Sequence, residues 1–231
     1  MDNNVLNSNL KIDGCSYNEI FEKLKDDSIE EFVKIFLIVQ LEKIETQEDM
    51  MIFINYLTNH PTPQREACAY KLRDLFNDSF INDFVKNKLL DAIVDINPNV
   101  SREICALIKS SKVLKEILEA DIIARIEKLL LDIKNDNNYS NCNRNHAKNK
   151  KFFSLYWLLE ALSCSISKRY LISIREILNF TITFYDYTIR EKTAKILALT
   201  GDAFDDLLQI AKSDVNFYVK NQVYDKINFD D

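Results

Sequence analysis

Phe153, Trp157, Glu160 and Cys164, in the stretch KFFSLYWLLEALSCSI, stand at i, i+4, i+7 and i+11, which places them along one face of a helix. Aromatic rings, a carboxylate and a thiol on one helix face could line a concave binding surface. The interleaved stripe Phe152, Leu155, Tyr156, Leu159, Leu162 and Ile166 has core spacing and is predicted to be buried. A second grouping, Cys142 and His146, forms C-x-x-x-H in NDNNYSNCNRNHAKNKK. A zinc site wants four protein ligands, or three plus water, and no third thiolate or imidazole lies nearby, so no metal is expected. The other histidine, His60, precedes Pro61 in a turn and reads as a surface or capping residue. No cofactor is expected.

Residues 134–151 carry Lys134, Arg144, Lys148, Lys150 and Lys151 against Asp136, and seven of the eighteen are Asn. One reading is a flexible Asn-rich insertion. The other is a basic arm, with Arg144, Lys148, Lys150 and Lys151 reaching an acidic partner or a nucleic-acid phosphate.

The elements that must position these residues are helical. The chain of 231 residues has 2 Gly and 3 Pro. Gly14 and Gly201 are too far apart for a dinucleotide fingerprint, a Walker loop or a nucleophile elbow. The same scarcity argues against sandwiches, barrels and doubly wound sheets. A formal charge of −6 gives no global field for nucleic acid. Cys15, Cys68, Cys105, Cys142 and Cys164 form no C-x-x-C pair and read as reduced thiols in a cytoplasmic protein. No signal peptide is expected at the N-terminus, and the longest apolar run, FVKIFLIVQL, is half a membrane span.

After a loose tail (1–16), the pattern predicts helices separated by short polar turns. Ser28-Ile-Glu-Glu31 reads as a capping box, and Thr46 as the cap of the next helix. Later helices are expected near 62–77, 80–94, 98–109, 112–133 (with a break at Asp121), 152–167, 170–179, 188–200, 203–212 and 215–227. The β-branched run LNFTITFYDY has no partner strand and reads as a helix end and a turn.

Four segments share one layout: HPTPQREACAYKL, NPNVSREICALI, DYTIREKTAKIL and DVNFYVKNQVYDKI, with basic residues Arg65, Arg102, Arg190 and Lys220. This layout resembles the second helix of HEAT repeats, in particular the short bacterial type that opens with a D-P-x-x-V-R-like turn. The resemblance implies an all-α, right-handed α-solenoid of about six antiparallel helix pairs over 17–231, interrupted by the 134–151 insertion. It makes the four basic residues structural, each reaching an acidic group of the next pair.

HEAT-fold iron hydroxylases carry paired His-Glu motifs, and neither histidine here is followed by Glu, which excludes that class. HEAT-like DNA glycosylases set aromatics and a carboxylate in a groove, but this chain lacks a basic helix ladder for phosphates. Phycobilin lyases share the short repeats, yet no residue matches a lyase active position. The expected function is a non-enzymatic scaffold for a protein or peptide, with nucleic acid and membrane disfavoured. The alternatives are a lyase-like cofactor handler and nucleic-acid binding through the arm. The acidic run from Asp202 to Asp231 reads as an end cap and predicts a monomer.

Overall fold

The computed structural model describes residues 15–135 and 146–224. Twelve α-helices and short 3-10 turns make up these residues, with no strand among them. They fall into two compact units, Met1–Lys88 and Leu89–Asp231.

The first unit holds α1 (Tyr17–Lys25), α2 (Glu31–Gln40), α3 (Gln47–Asn55), α4 (Thr62–Leu75) and the start of α5 (Asp83–Ala92). α1 packs on α2 and α3, and α2 packs on α4. Phe21, Leu37, Ile38, Phe53, Ile54, Cys68 and Leu72 are buried between them. Thr46 caps α3 as predicted, its Oγ1 accepting from the Asp49 N–H at 3.1 Å. Ser28 does not cap α2. Its N–H and hydroxyl both turn back to Asp26 Oδ1, at 2.8 and 2.7 Å, and Glu30 takes the cap position. The carboxylate two residues upstream captures the serine before the helix begins. A capping-box contact forms instead at α1, where Glu19 Oε2 accepts from the Ser16 N–H at 2.7 Å.

The second unit continues with α6 (Pro98–Ser110), α7 (Lys112–Lys134), α8 (His146–Ser165), α9 (Leu171–Thr181), α10 (Tyr187–Thr200), α11 (Asp205–Lys212) and α12 (Phe217–Tyr224). α7 runs unbroken through Asp121, because one half-exposed Asp lowers helix propensity by only about 0.5 kcal/mol against alanine. LNFTITFYDY is the end of α9 and a turn, as predicted. α8 begins at His146, so the last six residues of the 134–151 segment are helical rather than loop. Gly201 closes α10 at φ +60°, a backbone conformation that side-chain-bearing residues avoid.

Alternate helices of this unit touch in sequence. α6 packs on α8, α8 on α10 and α10 on α12, while α7, α9 and α11 back them. Buried Glu119 of α7 ties down the chain leaving α8, accepting from the Ser167 N–H at 2.6 Å and its hydroxyl at 2.5 Å.

One turn geometry opens α6, α10 and α12. The side chain at the cap accepts from the N–H two residues on at 2.9 Å each time: Asn97 from Asn99, Asp186 from Thr188, Asn216 from Tyr218. Four residues past the cap, the side chain folds back on the turn. Arg190 Nη1 donates to the Phe184 carbonyl at 2.7 Å, and Ser101 Oγ to the Asp95 carbonyl at 3.2 Å. In the first unit Arg65 Nη1 reaches the His60 carbonyl at 2.7 Å in the same manner.

Arg65 and Arg190 hold carbonyls of their own turns, and Lys220 stands at the equivalent position in α12. Arg102 does not take this place. It lies one residue later, about 100° around the helix, and Ser101 occupies the position.

Arg190 also joins neighbours. Nε donates to Asp214 Oδ2 at 2.6 Å and Nη2 to Oδ1 at 3.2 Å, linking the head of α10 to the turn before α12. Burial opposes ionisation of Asp214, but the guanidinium and the Asn216 N–H outweigh it and hold the carboxyl below its usual range. Both side chains are largely buried, at 14% and 8% exposed, so removing one strands the other. Arg190→Ala is expected to lower unfolding free energy by about 3 kcal/mol. Arg175→Ala, which breaks an exposed pair with Asp206, should change it little. Urea denaturation of the two variants checks the contrast.

Candidate functional site

α8, from Asn149 to Glu160, lies between the heads of α6 and α10, and the three enclose an open groove of about 670 Å³. α8 forms the floor with Asn149, Phe152, Phe153, Tyr156, Trp157 and Glu160. α6 supplies Pro98 and Arg102 to one wall, and Asp186, Thr188 and Lys192 at the start of α10 form the other. Of the four candidate residues, Phe153, Trp157 and Glu160 come together here, and Cys164 does not line the groove. Phe152 and Tyr156 are half-buried groove residues rather than core, whereas Leu155, Leu159 and Leu162 of the same stripe are fully buried.

The floor is a set of edge-to-face rings: Tyr156 and Trp157 at 5.2 Å and 86°, Phe153 and Trp157 at 6.2 Å and 67°. Trp157 is 8% exposed, and its indole nitrogen meets no acceptor among the described residues. Beside the rings, Glu160 is held by two lysines of α10. Lys195 Nζ donates to Oε1 at 2.6 Å, and Lys192 Nζ sits 2.8 Å from Oε2 in a close ion pair. Burial pushes the Glu160 carboxyl up, but both ammonium groups overcome this and keep it below its ordinary value. Burial pulls Lys192 down, and Glu160 with Tyr156 more than restores it. The Lys192 ammonium also lies 4.5 Å above the Tyr156 ring. Glu160 is thus a tethered anion and a poor proton shuttle.

Arg102 faces this groove because of its one-residue offset. Its Nη1 donates to the Asn99 side chain at 3.0 Å, and no carboxylate pairs with it among the described residues. Sequence reasoning missed Arg102 and Lys192 as groove residues. The signal available was the i, i+4 spacing of Pro98 with Arg102 and of Thr188 with Lys192, which is legible only once the helix starts are known.

The other candidates disperse. Cys142 and Arg144 lie outside the described residues. Lys148 is buried, its ammonium 5.5 Å from the Tyr185 ring, and Lys151 Nζ is 3.4 Å from the Asp132 carbonyl, so both are built into α8's packing. Lys150 is exposed on α8. Among the described residues no group of three or more His, Cys, Asp or Glu could hold a metal ion, and no helix is long and apolar enough to cross a membrane. Burial pushes the Cys68 and Cys105 thiols far up, and burial with nearby Glu160 raises Cys164, so none is an activated nucleophile. No protein-family model and no curated protein matches the chain.

His60 is not a capping residue. Its ring stacks on Tyr56 at 3.9 Å and 16°, beside a cavity of about 700 Å³ in the first unit. Burial, then the charge of Lys34, depresses its pKa below 6.5. The folded state prefers the neutral ring, so its contribution to stability is complete above 6.5 and is lost as pH falls through the folded value. Between about pH 7.5 and about pH 5.5, wild type should lose more unfolding free energy than His60→Asn does. Equal losses in paired urea titrations would show that His60 carries no such penalty.

Proposed function

We propose that this chain is a non-enzymatic α-solenoid of HEAT-like helix pairs that presents the α6–α8–α10 groove to a protein or peptide partner. The observation that carries the reading is the groove itself. Three successive alternate helices line one concave strip of rings edged by Arg102, Lys192 and Asp186. Apolar floors with a few convergent polar groups are the usual make-up of binding sites. The solenoid part of the reading is supported by the recurring cap-and-foldback turn and by the run of contacts from α6 to α12.

A binding role is favoured over catalysis by the chemistry of the lining. Glu160 is tethered by lysines and Asp186 by its own turn, no histidine lines the groove, and the nearby Cys164 thiol is raised. The arm reading of 134–151 is weakened by the burial of Lys148. The chain is taken to act as a cytoplasmic monomer, with its thiols reduced.

The test is affinity capture from a native lysate with immobilised protein. A protein partner should be retained by wild type and by Leu131→Ser, a change on an exposed part of α7, and lost with Phe153→Ser at unchanged melting temperature. Capture of nucleic acid or a pigment in place of a protein, insensitive to Phe153→Ser, would overturn the reading.

A further inference from the structure

We infer that Cys15 and Lys23 of the first unit form a peroxide-responsive pair, which oxidation closes into a sulfenamide cross-link along α1. Two nucleophiles, a thiol and an amine, are held in contact here. Lys23 Nζ donates to Cys15 Sγ at 2.9 Å. Both side chains are half-buried, so a small oxidant reaches them from solvent. The other described thiols lack this combination. Cys68 and Cys105 are buried, and at Cys164 burial and the Glu160 charge oppose the thiolate.

The start of α1 holds the pair together. Glu19 Oε2 accepts from the Ser16 N–H at 2.7 Å and from the Ser16 hydroxyl at 2.9 Å, which pins the chain next to Cys15 to the helix. The same commitment takes Glu19 away from Lys23, its i+4 neighbour, with which a glutamate commonly pairs. Lys23 has no ion pair among the described residues, and its stem runs back toward the helix N-terminus to end on the sulfur. That hydrogen bond outweighs desolvation and raises the Lys23 pKa, so the nitrogen begins as a proton donor.

The chemistry follows from these positions. The thiolate is the form that attacks a peroxide. Its sulfur bonds to one oxygen of hydrogen peroxide and the O–O bond breaks. The departing hydroxide takes a proton from the Lys23 ammonium and leaves as water. Cys15 is then a sulfenic acid beside a neutral amine. The Lys23 nitrogen attacks the sulfur, the S–O bond breaks, and the hydroxide leaves with an amine proton as a second water. Sulfur has given up two electrons and the peroxide has accepted them. Contact between amine and sulfur makes this condensation intramolecular. Two equivalents of an external thiol return the S–N bond to free thiol and amine. The closed link joins the residue before the α1 cap to the helix's last turn. Ile20, Phe21 and Leu24 of α1 are buried, so the link fastens a helix that the first unit packs around.

The experiment treats the full chain with hydrogen peroxide, traps sulfenic acids with dimedone, and maps tryptic peptides by mass spectrometry. Wild type should give a 12–25 peptide uncut at Lys23, two hydrogens lighter than its sequence requires and free of dimedone. Dithiothreitol should restore its mass and its cleavage. Cys15 should be consumed about tenfold faster than Cys164, and amide exchange in α1 should slow once the link forms. Lys23→Gln should slow Cys15 oxidation about tenfold. Lys23→Arg, which keeps the cation and loses the nucleophile, should oxidise quickly and stop at the dimedone adduct. Both variants should keep the wild-type melting temperature. Equal consumption of Cys15 and Cys164, or an unchanged rate in Lys23→Gln, overturns the pair. A dimedone adduct on wild-type Cys15, or a disulfide between two chains there, overturns the cross-link.

Discussion

α8 is hemmed on three sides, by α6, α7 and α10, and what the rest of the second unit can present follows from that. Leu155, Leu158, Leu159, Ala161 and Leu162 fill those sides. The remaining strip is narrow, and large rings there cannot withdraw into an occupied core. Phe152, Phe153, Tyr156 and Trp157 therefore become the floor of a groove, with the first turns of α6 and α10 as walls. The groove is a consequence of how full the other three sides are.

Helix register decides the charge of those walls. Each capped turn places its fourth following residue over the turn's own carbonyls, and a basic side chain at that position is neutralised structurally, as Arg190 is. A shift of one residue carries Arg102 from that structural ring to the groove. The same residue type in nearly the same sequence context thus does two different jobs. The difference is the ~100° that one residue turns in a helix.

Inside the groove, Glu160 works as a charge anchor. Left alone, a carboxylate this far from water would tend to protonate. Two lysines one helical turn apart on α10 keep it ionised and position themselves in doing so. The arrangement fixes α10 against α8 at the edge of the aromatic floor.

The helical class and the positions of nearly all later helices were legible in the chain itself. Scarce glycine and 3.6-residue periodicity are local properties, and they survive folding. Thr46 as a cap was legible for the same reason. Ser28 was misread because Asp26 competes for it, and α8's start was misread because an Asn- and Lys-rich stretch gives no apolar period to follow.

The site was half legible. Spacing alone put Phe153, Trp157 and Glu160 on one face, but it could not separate core from groove in Phe152 and Tyr156, since both classes share the same stripe. Nor could it tell Arg102 from Arg190, which needs the exact cap, or pair Glu160 with Lys192 and Lys195, which lie on another helix. Sequence determined what each helix could offer on each face. Only tertiary packing decided which of those faces were filled, because burial is settled by the neighbours a helix acquires and not by the residues it carries.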